Sequence, residues 1–204
     1  MIGIINYGMG NLASVKSALD YLGIKNKIID NPNELYRMDK IILPGVGAFG
    51  MAMENLNRLK FSPVIKELAS VKQKPILGIC LGMQLLLEKS TEHGNHQGLE
   101  LIQGHVKIFD KDQIKLPIPH VGWNTVITST SNKFLFENNE SSATYYFVHS
   151  YYCELTDHKT ISGITEYGIS FHSSVQKNNI FGCQFHPEKS QKNGLNIFKK
   201  FNLI

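Results

Sequence analysis

The spacing of apolar positions changes partway along this chain, and the change predicts two kinds of architecture. Up to about Ser90, short apolar runs at Ile2–Ile5 and at residues 27–29, 41–43 and 76–79 read as buried strands. Between them the apolar positions fall three and four apart. Leu12, Val15, Ala18, Leu19 and Leu22 make one helical face closed by Gly23, and residues 51–59 and 64–70 make two more helices broken by Phe61-Ser62-Pro63. Strands alternating with helices predict a central, mostly parallel sheet flanked by helices. In such sheets ligands gather beyond the strands' carboxyl ends.

From about Leu99 the period shortens to two. Residues 104–109, 124–128, 143–148, 161–165, 171–176 and 180–185 read as short strands, with Lys177-Asn178-Asn179 as a hairpin turn. Additional antiparallel pairing is therefore expected in the C-terminal half. Residues 145–152 are aromatic on both faces, which predicts a central strand whose polar end enters a site. A last helix over residues 195–201 has Leu195, Ile197, Phe198 and Phe201 to bury. With no repeat, linker or low-complexity segment, a single α/β domain over residues 1–204 is expected.

The period also changes inside one stretch, from Pro75 to Glu88. Its first half suits a strand, its second half has helical spacing, and the switch falls at Cys80. Gly78-x-Cys80-x-Gly82 is the thiol form of a nucleophile elbow, in which glycines two places either side let the backbone turn sharply. Amides of the new helix favour thiolate, and Leu81 N–H is placed to donate to an oxyanion. The loop Pro44-Gly45-Val46-Gly47, after the third strand, is expected to supply the second donor from Val46 or Gly47. A free cysteine is most often just a small buried side chain. Far down the chain, however, the strand 180–185 runs into His186-Pro187-Glu188. Residues two apart in extended chain share a side, so Glu188 can orient His186. Thiol, imidazole and carboxylate together make the nucleophile, base and orienter of covalent acyl transfer.

Composition narrows the field without adding chemistry. The formal charge is +4 over 204 residues with Lys and Arg scattered, which gives little electrostatic case for nucleic acid. No stretch approaches the roughly 20 apolar residues of a membrane span, and Met1 leads almost directly into Ile2–Ile5, so a cytoplasmic protein is expected. Cys80, Cys153 and Cys183 are odd in number and far apart, which argues against a disulfide framework or a structural zinc site. His93 and His96 have metal-ligand spacing, but no cysteine or carboxylate pair completes a set, and a solvated loop is expected. Gly8-Met9-Gly10 lacks the third glycine of a dinucleotide fingerprint. Trp123, in Pro119-His120-Val121-Gly122-Trp123-Asn124, suits either ring packing or an interaction surface.

With these motifs in place, the chain resembles the class I, triad-type glutamine amidotransferases. Within them it is most similar to the glutaminase subunits of imidazole glycerol phosphate synthase. The resemblance runs from Asn6-Tyr7-Gly8-Met9-Gly10-Asn11 through the Pro44 loop, the Cys80 elbow, residues 119–124 and 146–151, to Gln184–Ser190. It implies Cys80 as nucleophile, His186 as base and then acid, Glu188 as orienter, and Leu81 with Val46 or Gly47 as the oxyanion hole. It implies that Gln84, Glu92, Ser150 and Tyr151 hold L-glutamine, and that Asn11, Trp123, Tyr146 and Lys189 face a partner. That partner would be a separate TIM-barrel cyclase in a heterodimer, which uses the ammonia to form imidazole glycerol phosphate and AICAR in histidine biosynthesis. No cofactor and no metal are implied. Two alternatives stay open: a paralogous subunit feeding ammonia to surface-sugar amidation, and a noncatalytic scaffold subunit.

Overall fold

The computed structural model describes residues 1–129, 134–136 and 141–204. Its first half alternates as the apolar spacing predicts: β1 (Ile2–Ile5), α1 (Leu12–Tyr21), β2 (Asn26–Ile29), β3 (Lys40–Gly45), α2 (Phe49–Arg58), α3 (Phe61–Ser70) and β4 (Ile76–Cys80). The break between α2 and α3 lies at Lys60, whose φ is +63°. Phe61-Ser62-Pro63 belongs to the first turn of α3, where proline's missing N–H has no helical acceptor to lose.

The expected helix after Cys80 is cut short. It forms only as α4 (Leu81–Leu85), and Leu87–Ser90 is a strand, β5. The carbonyls that a longer helix would use are taken by distant chain: Leu99 N–H donates to Leu85 O at 2.8 Å, and Leu101 and Ile102 N–H donate to Leu86 O at 2.9 and 3.0 Å. Then follow β6 (His96–Gln97), β7 (Ile102–Ile108), β8 (His120–Thr128), β9 (Ser142–His149), β10 (Tyr151–Leu155), β11 (Ile161–Glu166), β12 (Ser170–Lys177), β13 (Ile180–Cys183) and α5 (Gln191–Leu203).

Strands β2, β1, β3, β4 and β13 lie side by side and parallel. Beyond β13 the sheet turns antiparallel through β12, β10 and β7, with the hairpin turn at Asn178 (φ +53°). A branch leaves β12 through β11 and β8 to β9. The aromatic stretch 145–152 is therefore not one central strand. It divides at Ser150, whose carbonyl accepts from Phe109 N–H at 3.1 Å, and β9 pairs with β8 alone among the described strands. Two apolar layers cover the sheet, one gathering Phe49, Leu56, Phe61 and Ile65 from α2 and α3, the other Val15, Leu19, Phe198 and Phe201 from α1 and α5. Adjacent residues of β4 divide between them, Ile76 in the first and Leu77 in the second. Among the described residues no helix is long and apolar enough to cross a membrane.

Candidate active site

The carboxyl ends of β3, β4 and β13 meet at one place, and Cys80 stands at the tip of the middle strand. Its backbone, with φ 52° and ψ −109°, lies in a region costing roughly 1–3 kcal/mol for a residue with a side chain. Close packing holds that turn. A Cβ on Gly82 would sit 1.8 Å from Leu43 O, and one on Gly78 would sit 2.7 Å from Gly82 C and O. The two glycines that frame Cys80 are thus pressed against each other and against β3. Cys80 is nearly buried, and its sulfur lies 3.9 Å from Val148 O.

His186 follows β13 in extended conformation, and residues Pro187–Lys189 close a short 3₁₀ turn behind it. That turn brings Glu188 Oε1 to 2.8 Å from His186 Nδ1. A carboxylate only accepts, so Nδ1 carries the hydrogen and Nε2 is left without a hydrogen-bond partner, buried. The backbone around the ring is tied to β9: His186 N–H donates to Tyr146 O at 2.9 Å, while Ser190 Oγ accepts from Tyr146 N–H and donates to His186 O. Burial by itself lowers the basicity of the imidazole. The Cys80 sulfur and then the Glu188 carboxylate outweigh it, and the His186 pKa rises to about 10.

Cys80 and His186 line one cavity of about 280 Å³. Val46, Gly47 and Leu81 border it, as do Gln84, Glu92, Ser150 and Tyr151 on its walls; Glu188 stands behind His186 rather than in the cavity. Glu92 is held by Phe49 N–H, which donates to its Oε2 at 2.7 Å and sets the carboxylate at the N-terminus of α2. Gln84 Nε2 donates to Tyr151 O and to Gln184 Oε1, both at 3.0 Å. Gln184 and Tyr7 have no individual role in the sequence reading. Gln184 Nε2 donates toward Cys80 Sγ at 3.6 Å; β13 ends at Cys183, and Gln184 lies in the bend between that strand and His186. Tyr7 Oη donates to Pro44 O at 2.9 Å and fixes the glycine loop; burial, and then Cys80, push its phenol far above the usual range.

The glutamine amidotransferase class-I family matches residues 3–203. The chain belongs to that family. Among curated relatives this amidotransferase is similar to the imidazole glycerol phosphate synthase subunit HisH of Sulfurimonas denitrificans, at 49% identity over 98% of this chain and 97% of that one. The subunit of the same name from Chlorobaculum tepidum is 46% identical over 98% of each chain. Among solved structures, PurLQS from Thermotoga maritima superposes with a TM-score of 0.76 at 18% identity, covering 98% of this chain and 96% of that one, which supports the fold.

The residues expected to face a partner lie mostly together in this amidotransferase. Trp123 and Tyr146 oppose each other across β8 and β9, with ring centroids 6.1 Å apart, and Lys189 Nζ lies 5.7 Å from the Tyr146 ring centroid. Val121, Trp123 and Ile127 leave about half their surface exposed on the outer side of β8. Asn11 caps α1 by accepting from Ser14 N–H at 3.3 Å, and the first turns of α1 share a surface hollow with Glu188. His96 packs its ring where a Cβ on Gly50 would fall, and His93 lies exposed in a turn. Among the described residues no three His, Cys, Asp or Glu side chains converge on a metal position. Cys153 and Cys183 are fully buried, and burial raises both thiols.

Proposed function

We propose that this chain is the glutaminase subunit of imidazole glycerol phosphate synthase, releasing ammonia from L-glutamine for histidine biosynthesis. The observation that carries the reading is Cys80 on a strained elbow, sharing a cavity with a His186 whose far nitrogen is held by Glu188. Relatives at 46–49% identity over nearly the whole chain bear the name of that subunit.

The Cys80 thiolate adds to the side-chain carboxamide carbon of glutamine. The carbonyl electron pair moves onto oxygen, where Leu81 N–H and an amide of the Val46–Gly47 segment stabilise it. His186, as imidazolium, gives its Nε2 proton to the amide nitrogen; the C–N bond breaks and ammonia leaves a γ-glutamyl thioester. His186 then takes a proton from water as its oxygen attacks the thioester. Glutamate departs, and the thiolate and imidazolium are restored. Glu188 keeps the ring oriented and stabilises its charged form. Glu92, Gln84, Ser150 and Tyr151 hold the substrate's polar groups.

The partner in this reading is a separate TIM-barrel cyclase chain, docked on the face carrying Trp123, Tyr146 and Lys189, with Asn11 at its margin. Direct delivery keeps ammonia from protonation in bulk water. The test is glutamate release by the purified chain, alone and with the cyclase subunit and its nucleotide ligand. Release expected in the complex and absent with Cys80→Ala supports the reading; none from the folded wild-type complex overturns it.

A further inference from the structure

Two buried histidines outside the triad stand between the β8 face and the cavity. His120 and His149 are directly opposed in the β8–β9 ladder, and their rings meet with His120 Nδ1 3.0 Å from His149 Nε2. The contact belongs to a longer chain. His149 Nδ1 lies 2.8 Å from Tyr151 O, and Asn124 Nδ2 lies 3.2 Å from His120 Nε2.

Both ends of this chain have fixed polarity. Tyr151 O only accepts, so His149 carries its hydrogen on Nδ1. At the other end, Asn124 cannot turn its amide over: Nδ2 also donates to Glu166 O at 2.9 Å, and Oδ1 accepts from Thr125 N–H at 2.7 Å. His120 Nε2 must therefore accept. His120 Nδ1 then donates to His149 Nε2, and the chain closes with one hydrogen per bond. A proton added to either ring would set N–H against N–H somewhere along it.

We propose that His120 and His149 are a positioning pair, held neutral in one tautomer, that fixes the Tyr151 carbonyl and thereby Gln84, Gln184 and the glutamine site around Cys80. The same Tyr151 O accepts from Gln84 Nε2, Gln84 bonds Gln184, and Gln184 donates toward the Cys80 sulfur. A continuous set of hydrogen bonds thus joins Asn124, next to exposed Trp123, to the nucleophile.

The surroundings agree. Phe147 and Tyr167 both stack on His120, with ring centroids 4.8 and 3.9 Å away, while Phe109 and Phe171 lie against His149, and none of these ring faces supplies a carboxylate. Among the described residues, His186 acts on His149 across the cavity, which Cys80, Glu92 and Tyr151 also line, and Tyr167 stacks on His120. Burial lowers the His120 pKa to about 4 and the His149 pKa to about 3, the latter with help from His120 and His186.

The kinetic part of this assignment rests on the glutaminase reading; the tautomer part does not. Long-range ¹⁵N–¹H spectra of the full chain from about pH 5 to about pH 9 are expected to show both rings neutral throughout, protonated on Nδ1. Titration of either ring between about pH 5 and 8, or a hydrogen on His149 Nε2, overturns the proposal. His120→Phe keeps an aromatic ring between Phe147 and Tyr167 and removes the donor to His149. In the complex it is expected to raise the glutamine KM about fivefold or more with kcat within about twofold. His120→Asn, which returns an amide N–H near the position of Nδ1, is expected to restore KM to within about twofold. An unchanged KM in folded His120→Phe, judged by near-ultraviolet circular dichroism, overturns it. If the wild-type complex releases no glutamate the function falls, and the tautomer spectra alone then decide the pair.

Discussion

His186 and His149 are both buried, line the same cavity, and are driven to opposite protonation states. His186 rises to about 10 and His149 falls to about 3. Burial pushes both down, so depth does not decide between them. The partner at Nδ1 and the charge at the far nitrogen do. Against His186 stand a carboxylate and a sulfur; against His149 stand a backbone carbonyl and a second imidazole. On the roles proposed for them, the site that moves protons has ionic neighbours, and the site that holds geometry has dipoles with only one consistent arrangement.

The largest effect that separates the two sites is expected from His186→Asn. In the proposed mechanism it removes the proton donor to the leaving nitrogen and the base for water, and glutamate release by the complex is expected to fall by about 10³-fold or more. Steady-state assay on His186→Asn and His120→Phe side by side decides the matter. A loss in His186→Asn no larger than in His120→Phe would break the distinction.

Next comes Glu188→Gln. The amide keeps a hydrogen-bonding group beside Nδ1 but carries no charge to stabilise the imidazolium, so the His186 pKa is expected to fall. The kcat/KM should drop by roughly 10- to 100-fold, and its alkaline limb should move to lower pH. An alkaline limb that stays in place would show that Cys80 alone sustains the raised pKa.

Stability separates the sites by pH range. His120 and His149 have folded pKa values below the usual 6.5, so their contribution is complete above about pH 6.5 and is lost as pH falls toward about 4 and about 3. The slope is at most about 1.4 kcal/mol per pH unit for each ring. His186 has a folded pKa above 6.5, so its contribution is complete below about pH 6.5 and is lost as pH rises toward about 10. Urea unfolding of the double variant His120→Phe/His149→Phe is expected to flatten the acid range and leave the alkaline range unchanged. An acid slope identical to wild type would mean that the two rings do take up protons in the folded chain.

How far these sites were legible in the sequence follows the same division. The elbow was readable because glycine spacing and a change of apolar period are local, and Gly78, Cys80 and Gly82 need only each other and β3 to explain them. His186 and Glu188 were readable as a pair because they lie two apart, but the step between them is a 3₁₀ turn rather than the expected extended segment, and it is that turn that brings the carboxylate to Nδ1. The end of α4 was not, since Leu85 and Leu86 have helical spacing and only the return of residues 99–102 to their carbonyls stops the helix. The His120–His149 contact was not either. It depends on the register of β8 against β9 and on the division of the aromatic stretch at Ser150, and neither is written in any local pattern.

The smallest expected effect tests what holds His120 in line. Tyr167 does two things: its ring stacks on His120 at 3.9 Å, and its hydroxyl donates to Pro117 O at 2.7 Å. Tyr167→Phe keeps the stack and removes only a partly exposed hydrogen bond, which is expected to cost about 1 kcal/mol or less in urea unfolding. If the tautomer chain from Asn124 to Tyr151 O is what orders the pair, the ring spectrum of His120 should be unchanged in Tyr167→Phe and the glutamine KM should stay within about twofold of wild type. A rise in KM as large as that of His120→Phe would mean that the hydroxyl, through Pro117 and the segment leading into β8, positions His120 instead. Because Phe and Tyr share the same stacking face, the comparison isolates one hydrogen bond from the packing around it.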